Sequence, residues 1–197
     1  YSTVESDFTG LGASVINIKA GEQISTRDLL YALLIPSACD AANVLAVHVS
    51  GSTEKFVELM NQKAAALGMT GTHYTNAHGL AQDGLYTTAR DLVILGKEVL
   101  KNSMLAEICS KTYYEIPATN MSDVRKIFTT NYMMETTSPY YYKRVKGLKT
   151  GYTEKAGRCL VSYAEKDGAE YIGVVMGCKT KDENGNEHHY EFDDTDA

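Results

Sequence analysis

The sequence predicts an α+β fold in which helices pack on an antiparallel sheet. Up to about residue 102, apolar residues recur at helical spacing behind side chains suited to capping. From about residue 111 to 180 the texture turns β-branched and aromatic, and Asp167-Gly168 gives a strong hairpin signal. No linker, repeat or low-complexity block divides the chain. Residues 1–197 are therefore expected to form most of one domain, helical at about 25–102 and mainly sheet at about 111–180.

Residues 12–19 read as a loop leading into one strand, so the chain begins in mid-structure. Ser25-Thr-Arg-Asp28 is a capping-box variant, and Leu29, Leu30, Leu33 and Leu34 continue a helix until Pro36 stops it. Residues 40–49 are small and apolar on nearly every face, which predicts a buried helix ended by Gly51. Ser37 and Cys39 stand at its entrance. Ser52 caps a third helix whose stripe is Phe56, Val57, Leu59, Met60 and Leu67. Residues 69–86 have no sustained period and read as a loop, ordered or disordered. Thr88-Ala-Arg-Asp91 caps a fourth helix through about Leu100. Strands are expected at 112–116, 145–152, 158–164 and 171–176, and the acidic, polar stretch beyond Lys181 is expected to add neither helix nor strand.

Composition narrows the function classes. With 19 Lys+Arg against 25 Asp+Glu, the net charge of -6 argues against a nucleic-acid partner held by phosphate neutralisation. Apolar stretches are broken well short of the roughly 20 residues that span a bilayer, and the start lacks a signal-peptide layout. Cys39, Cys109, Cys159 and Cys178 form no CxxC pair, so neither a zinc ribbon nor a dense disulfide framework is indicated. They read as core thiols, with a Cys159–Cys178 cross-strand bridge left open.

One segment reverses the sign of the chain. Residues 143–151 hold Lys143, Arg144, Lys146 and Lys149, and no acid lies between Glu135 and Glu154. Such a patch suits an anionic group, most simply a carboxylate. Within it, Lys149-Thr150-Gly151 offers an ammonium, a hydroxyl and a residue without a side chain, a combination that lets a peptide lie along an edge strand. Chance would supply this triplet about 0.1 times in a chain of this composition. The plainer reading is a solvated basic edge that discourages aggregation.

Four motifs occur in order: Ile35-Pro-Ser-Ala-Cys-Asp-Ala-Ala-Asn43, Asn76-Ala-His-Gly-Leu80, Tyr86-Thr-Thr-Ala-Arg-Asp-Leu92 and Gly147-Leu-Lys-Thr-Gly-Tyr-Thr-Glu-Lys-Ala-Gly157. In these the chain resembles the serine-type D-alanyl-D-alanine carboxypeptidases, low-molecular-weight penicillin-binding proteins of the penicillin-recognising serine peptidases. That family uses Ser-x-x-Lys, Ser-x-Asn and Lys-Thr-Gly motifs. Lys149-Thr150-Gly151 matches the third, and Ser37-Ala38-Cys39 matches the second with Cys in place of Asn. The first normally lies some tens of residues upstream of the second, so the resemblance places the nucleophile and its base before Tyr1 and implies that this chain alone is inactive.

The resemblance also implies roles. Ser37 and Lys149 would be catalytic, Ser37 relaying a proton and Lys149 holding the electrostatics of that relay. Cys39, Thr150, Gly151 and Tyr152 would be substrate-binding, with Thr150 on the terminal carboxylate and the Tyr152 N–H as one oxyanion donor. The substrate would be a peptidoglycan pentapeptide ending in D-Ala-D-Ala, with β-lactam antibiotics as inhibitors, no metal or organic cofactor, an extracytoplasmic location, and membrane attachment only through segments outside this chain.

Other readings are weighed beside it. Ser52-Thr-Glu-Lys55 fits Ser-x-x-Lys, but about 0.9 such matches arise by chance and Ser52 is better placed as a cap. Tyr74-Thr-Asn76 is a second decoy. Ser37 could itself be a helix cap. A cysteine nucleophile at Cys39 would need His48 or His78 as base, and His48 points elsewhere along its helix. His73, His78, Asp83 and His188 suggest a zinc peptidase, yet no HExxH is present. Tyr140-Tyr-Tyr142 reads as aromatic packing on the sheet. The remaining class is a non-catalytic module that binds wall peptides or a partner.

Overall fold

The structure is a computed structural model that describes Phe8 and residues 12–196. Helices α1 (Thr26–Leu34), α2 (Cys39–Ser50), α3 (Thr53–Ala66), α4 (Ala89–Leu100) and α5 (Ser103–Cys109) come first. Strands β1 (Tyr113–Ile116) and β2 (Arg125–Phe128), a 3-10 turn (Tyr132–Met134), strands β3 (Val145–Thr153), β4 (Gly157–Lys166) and β5 (Ala169–Cys178), and helix α6 (Tyr190–Asp196) follow. This is the α+β arrangement expected. Ser25, Ser52 and Thr88 cap α1, α3 and α4, each side chain accepting from the backbone N–H three residues on. Each such cap stabilises its helix by about 1 kcal/mol. Gly51, at φ 83, closes α2 in a left-handed conformation that other residues reach only with strain.

Helix α2 is buried from Cys39 to Ala46. Its alanines let α1 approach closely, and Leu29, Tyr31, Ile35, Val44, Leu45, Ile108, Ile116 and Ile127 complete the larger core. A second cluster of Met133, Val145, Leu160 and Phe192 joins β3 and β4 to α6, with Tyr140 and Tyr142 packed against it as the tyrosine run predicts. Strands β3, β4 and β5 form an antiparallel sheet in that order, leaving β3 at the edge. Asp167 and Gly168 turn the β4–β5 hairpin with φ of 53 and 80, as a two-residue primed turn requires. Helix α4 lies on the sheet at Gly96, where an added Cβ would meet Leu148 and Ile172 at 3.4 and 3.5 Å.

Several expectations are corrected. Residues 12–19 form no strand. The N–H groups of Ile16 and Ile18, which a ladder would need, each donate at 3.1 Å to the carboxylate of buried Asp40, and Asn17 between them is left-handed at φ 58. The segment is thus strapped to the start of α2, where Cys39 N–H donates to Ser14 O at 2.8 Å. Leu59 is 45% exposed and lies outside the α3 stripe. Four elements were not anticipated: α5, capped by Asn102; β2, which pairs with β1 in a two-stranded ribbon; the 3-10 turn, capped by Asn131; and α6, which buries Phe192 within a stretch expected to be irregular.

One ion pair ties the early segment to the ribbon. Arg125 Nη1 and Nη2 donate to Glu22 Oε1 and Oε2 at 2.7 and 2.9 Å, while Thr119 Oγ1 and Lys19 N–H donate at 2.6 and 3.0 Å. The Arg125 bonds outweigh burial and hold the Glu22 carboxyl down at about 2. Among the described residues no helix is long and apolar enough to cross a membrane.

Candidate active site

Where α1 ends, the chain cannot continue as helix because Pro36 has no N–H to donate. Ser37 then adopts φ 66, an uncommon conformation for a residue with a Cβ. Ala38 takes the N-cap position of α2 without a side-chain bond, so Ser37 is not a cap. Its hydroxyl instead accepts a short hydrogen bond from Lys149 Nζ, 112 residues further on. Lys149 Nζ also donates to Thr150 O at 3.1 Å. Both residues line a cleft of about 510 Å³ together with Cys39, Thr150, Gly151 and Tyr152. All six residues singled out by the sequence therefore converge on one concavity.

The chemistry of each follows from its surroundings. Among the described residues no carboxylate bonds the Lys149 ammonium, and burial lowers its pKa from 10.5 to about 8, the Cys109 and Cys39 thiols opposing weakly. It is a cation at neutral pH with its proton loosely held. Of the four cations in the basic segment, Lys149 alone lines this cleft: Arg144 faces Asp167 at 3.9 Å and Lys143 and Lys146 are exposed. The Thr150 hydroxyl touches the Thr130 hydroxyl. At Gly151 an added Cβ would meet nothing within 4 Å, so the strand's open flank is free to receive another backbone.

Cys39 is 5% exposed, and burial, then the neighbouring Asp40 charge, pushes its thiol up to about 11 against the pull of Lys149. A thiol so held is not the thiolate that nucleophilic attack requires. His48 lies in a separate hollow beside Glu22 and Thr26, whereas His78 does line the cleft, edge-on to Phe8 at 5.1 Å. Ser52 Oγ accepts from Lys55 N–H at 3.2 Å as a cap, and neither residue lines the cleft. Asn76 shapes the loop that carries His78: its Oδ1 accepts from Gly79 N–H at 2.7 Å and its Nδ2 donates to Leu80 O at 3.0 Å.

The residues of the zinc reading are engaged separately. His73 Nδ1 is 2.9 Å from Gly84 O, Asp83 pairs with Lys155 at 3.1 Å, and His188 pairs with Asp193 at 2.7 Å. Among the described residues no group of three or more His, Cys, Asp or Glu is placed to hold a metal ion. The four cysteines are free.

Among the cleft residues missed in the sequence are Thr130, Arg158, His189 and Glu191. Arg158 is the second residue of β4, directly opposite Tyr152, so the Gly157 turn that follows the Lys-Thr-Gly strand carried a usable signal. Glu191 is buried by the packing of α6 on the sheet, which no local pattern announces.

Comparison with known proteins accords with this geometry. D-alanyl-D-alanine carboxypeptidase DacF of Bacillus subtilis is 35% identical over 173 residues, covering 88% of this chain and 43% of its own length. DacC of Escherichia coli is 35% identical over 173 residues, covering 86% of this chain and 40% of its own length. The chain thus spans about two fifths of these curated relatives. The crystal structure of the Streptomyces K15 DD-transpeptidase superposes with a TM-score of 0.81 at 29% identity, covering 90% of this chain and 70% of that one. Solved variants of that enzyme replace a serine and a cysteine two positions apart, the spacing of Ser37 and Cys39. The profile of the S11 peptidases, described as D-alanyl-D-alanine carboxypeptidase, matches residues 2–180, and the chain accordingly belongs to that family.

Proposed function

We propose that this chain supplies the substrate-binding edge and the proton relay of a serine-type D-Ala-D-Ala carboxypeptidase acting on peptidoglycan stem peptides outside the cytoplasmic membrane. The nucleophilic serine and its lysine base come from a Ser-x-x-Lys segment outside these 197 residues, because the one match within them, at Ser52, is a helix cap away from the cleft. That serine attacks the penultimate D-Ala carbonyl, its proton passing to the lysine. Ser37 passes a proton to the departing D-Ala amine, and the Lys149 ammonium on its hydroxyl keeps the relay oriented and positive. Thr150 binds the terminal carboxylate, Gly151 allows close approach, and the Tyr152 N–H donates to the oxyanion. Water then releases the acyl group. Penicillins enter the same path as inhibitors.

The observation that carries this reading is the Lys149–Ser37 hydrogen bond at the open edge of β3. A second reading, a non-catalytic wall-peptide binder, draws on Cys39, whose thiol replaces the stronger donor and acceptor groups of an amide. The test uses the complete translated protein, fluorescent penicillin and an acylated D-Ala-D-Ala peptide. Covalent labelling with release of free D-alanine is the expected result. A complete protein that binds the peptide but is neither labelled nor releases D-alanine sinks the enzyme and leaves the binder.

A further inference from the structure

Lys149 is already committed to Ser37 and Thr150 O, so it is poorly placed to meet a substrate carboxylate as well. The cleft holds one other Lys or Arg, Arg158. We infer that Arg158 receives the terminal carboxylate of the peptide and so makes the cleft prefer chains that end there over chains that continue. This rests on the function proposed above and adds to it the residue that separates carboxypeptidase from endopeptidase action.

Arg158 faces Tyr152 across the β3–β4 pair, two residues along the strand from Thr150, and its guanidinium lies over the Tyr152 ring at 5.4 Å from the centroid. The side chain is 13% exposed, yet it spends little of its donor capacity. Nη2 donates to Glu187, Nη1 stands 3.8 Å from Glu191 Oε1, beyond hydrogen-bonding range, and Nε is buried without a partner. An arginine fork with donors unspent matches the two oxygens of a carboxylate.

The two acidic neighbours play different parts. Glu187 is 73% exposed and does not line the cleft, so water and counterions substitute for it readily when an anion arrives. Glu191 is buried on α6, and its Oε1 lies 2.8 Å from His189 Nδ1 while its Oε2 has no partner. At 3.8 Å from Nη1 it orients the guanidinium by charge alone, as a positioning residue. Of the charged residues lining the cleft, Lys149 and Arg158 stand against Glu191, so displacing the exposed Glu187 from Arg158 leaves one surplus positive charge, the sign a free carboxylate requires. A peptide that continues past the second D-Ala presents a neutral amide there and gains nothing from it.

The test compares an acylated D-Ala-D-Ala peptide with its C-terminal amide, in both equilibrium binding and D-alanine or D-alaninamide release by the complete protein. The wild type is expected to favour the acid by tenfold or more, and Arg158→Leu to lose that preference, the acid falling to the level of the amide. Arg158→Lys, which keeps the charge without the fork, is expected to retain part of the preference and serves should the leucine variant fold poorly. Glu187→Gln is expected to increase it. An acid preference unchanged in both Arg158 variants, or absent in the wild type, overturns the inference. Failure of catalysis alone is distinct: a protein that releases nothing but still binds the acid through Arg158 sinks the enzyme reading and leaves this one standing.

Discussion

Two arginine–glutamate pairs in this molecule use the same chemistry to opposite ends. Glu22 and Arg125 meet fork to fork, and the carboxylate takes two further donors from Thr119 and Lys19. Glu191 and Arg158 approach only to 3.8 Å, with Arg158 Nε and Glu191 Oε2 both buried and unpartnered. A completed buried pair fastens one part of the fold to another, whereas an incomplete one at a cleft keeps capacity for a ligand. The difference shows which polar groups the fold uses and which it holds in reserve.

The largest expected effect tests that contrast directly. Arg125→Ala strands the enclosed Glu22 carboxylate and is expected to cost about 3–5 kcal/mol in urea unfolding. Arg158→Ala removes a partner that makes no hydrogen bond to Glu191 and is expected to cost less than about 1.5 kcal/mol. Comparable losses in the two variants would break the comparison. The pH dependence sharpens it. Because the Glu22 carboxyl is depressed to about 2 from 4.5, its stabilisation is complete above pH 4.5 and is lost as pH falls toward 2. Arg125→Ala should flatten that acid slope, and Arg158→Ala should leave it in place.

Lys149 is the next test, because it too is a group whose burial is not matched by charge pairing. Lys149→Ala is expected to lower penicillin acylation by more than tenfold by removing charge at the reacting centre. Its pKa of about 8, depressed from 10.5, sets the sign of two further effects. Acylation that needs the ammonium should decline as pH rises through about 8. The fold behaves in the opposite way: the cost of burying the cation is full below pH 8 and is relieved between pH 8 and 10.5, so Lys149→Met should stabilise the protein at pH 7. Unchanged labelling in the alanine variant would remove Lys149 from the mechanism.

The same contrast explains what could be read from the sequence. The caps at Ser25, Ser52 and Thr88 are local chemistry, fixed by neighbours within four residues, whereas Lys149-Thr150-Gly151 and the serine after Pro36 were legible as one site through their resemblance to the motifs of a family. Residues 12–19 misled because an alternating pattern specifies an extended chain but not its partner, and Asp40 supplied the acceptors in place of a strand. Arg158 and Glu191 were hidden because their placement depends on the β3–β4 register and on α6 docking, which are tertiary facts. Helix α6 has few apolar residues of its own and owes its place to burying Phe192 against Leu160 and Met133.

The smallest effect concerns Thr130, which reaches the cleft from the residues between β2 and the 3-10 turn and touches the Thr150 hydroxyl. Either hydroxyl can donate in such a pair, and Thr150 keeps its own proton for an incoming carboxylate only when Thr130 is the donor, which gives Thr130 control over that proton. Thr130→Val keeps the shape and removes that control, and about a threefold rise in KM for the D-Ala-D-Ala peptide is expected with kcat nearly unchanged. Thr130→Ser restores the hydroxyl and should restore KM. A valine variant indistinguishable from wild type would show that Thr150 orients its own hydroxyl, and the reserve of polar capacity in the cleft would then reside in Arg158 without help from Thr130.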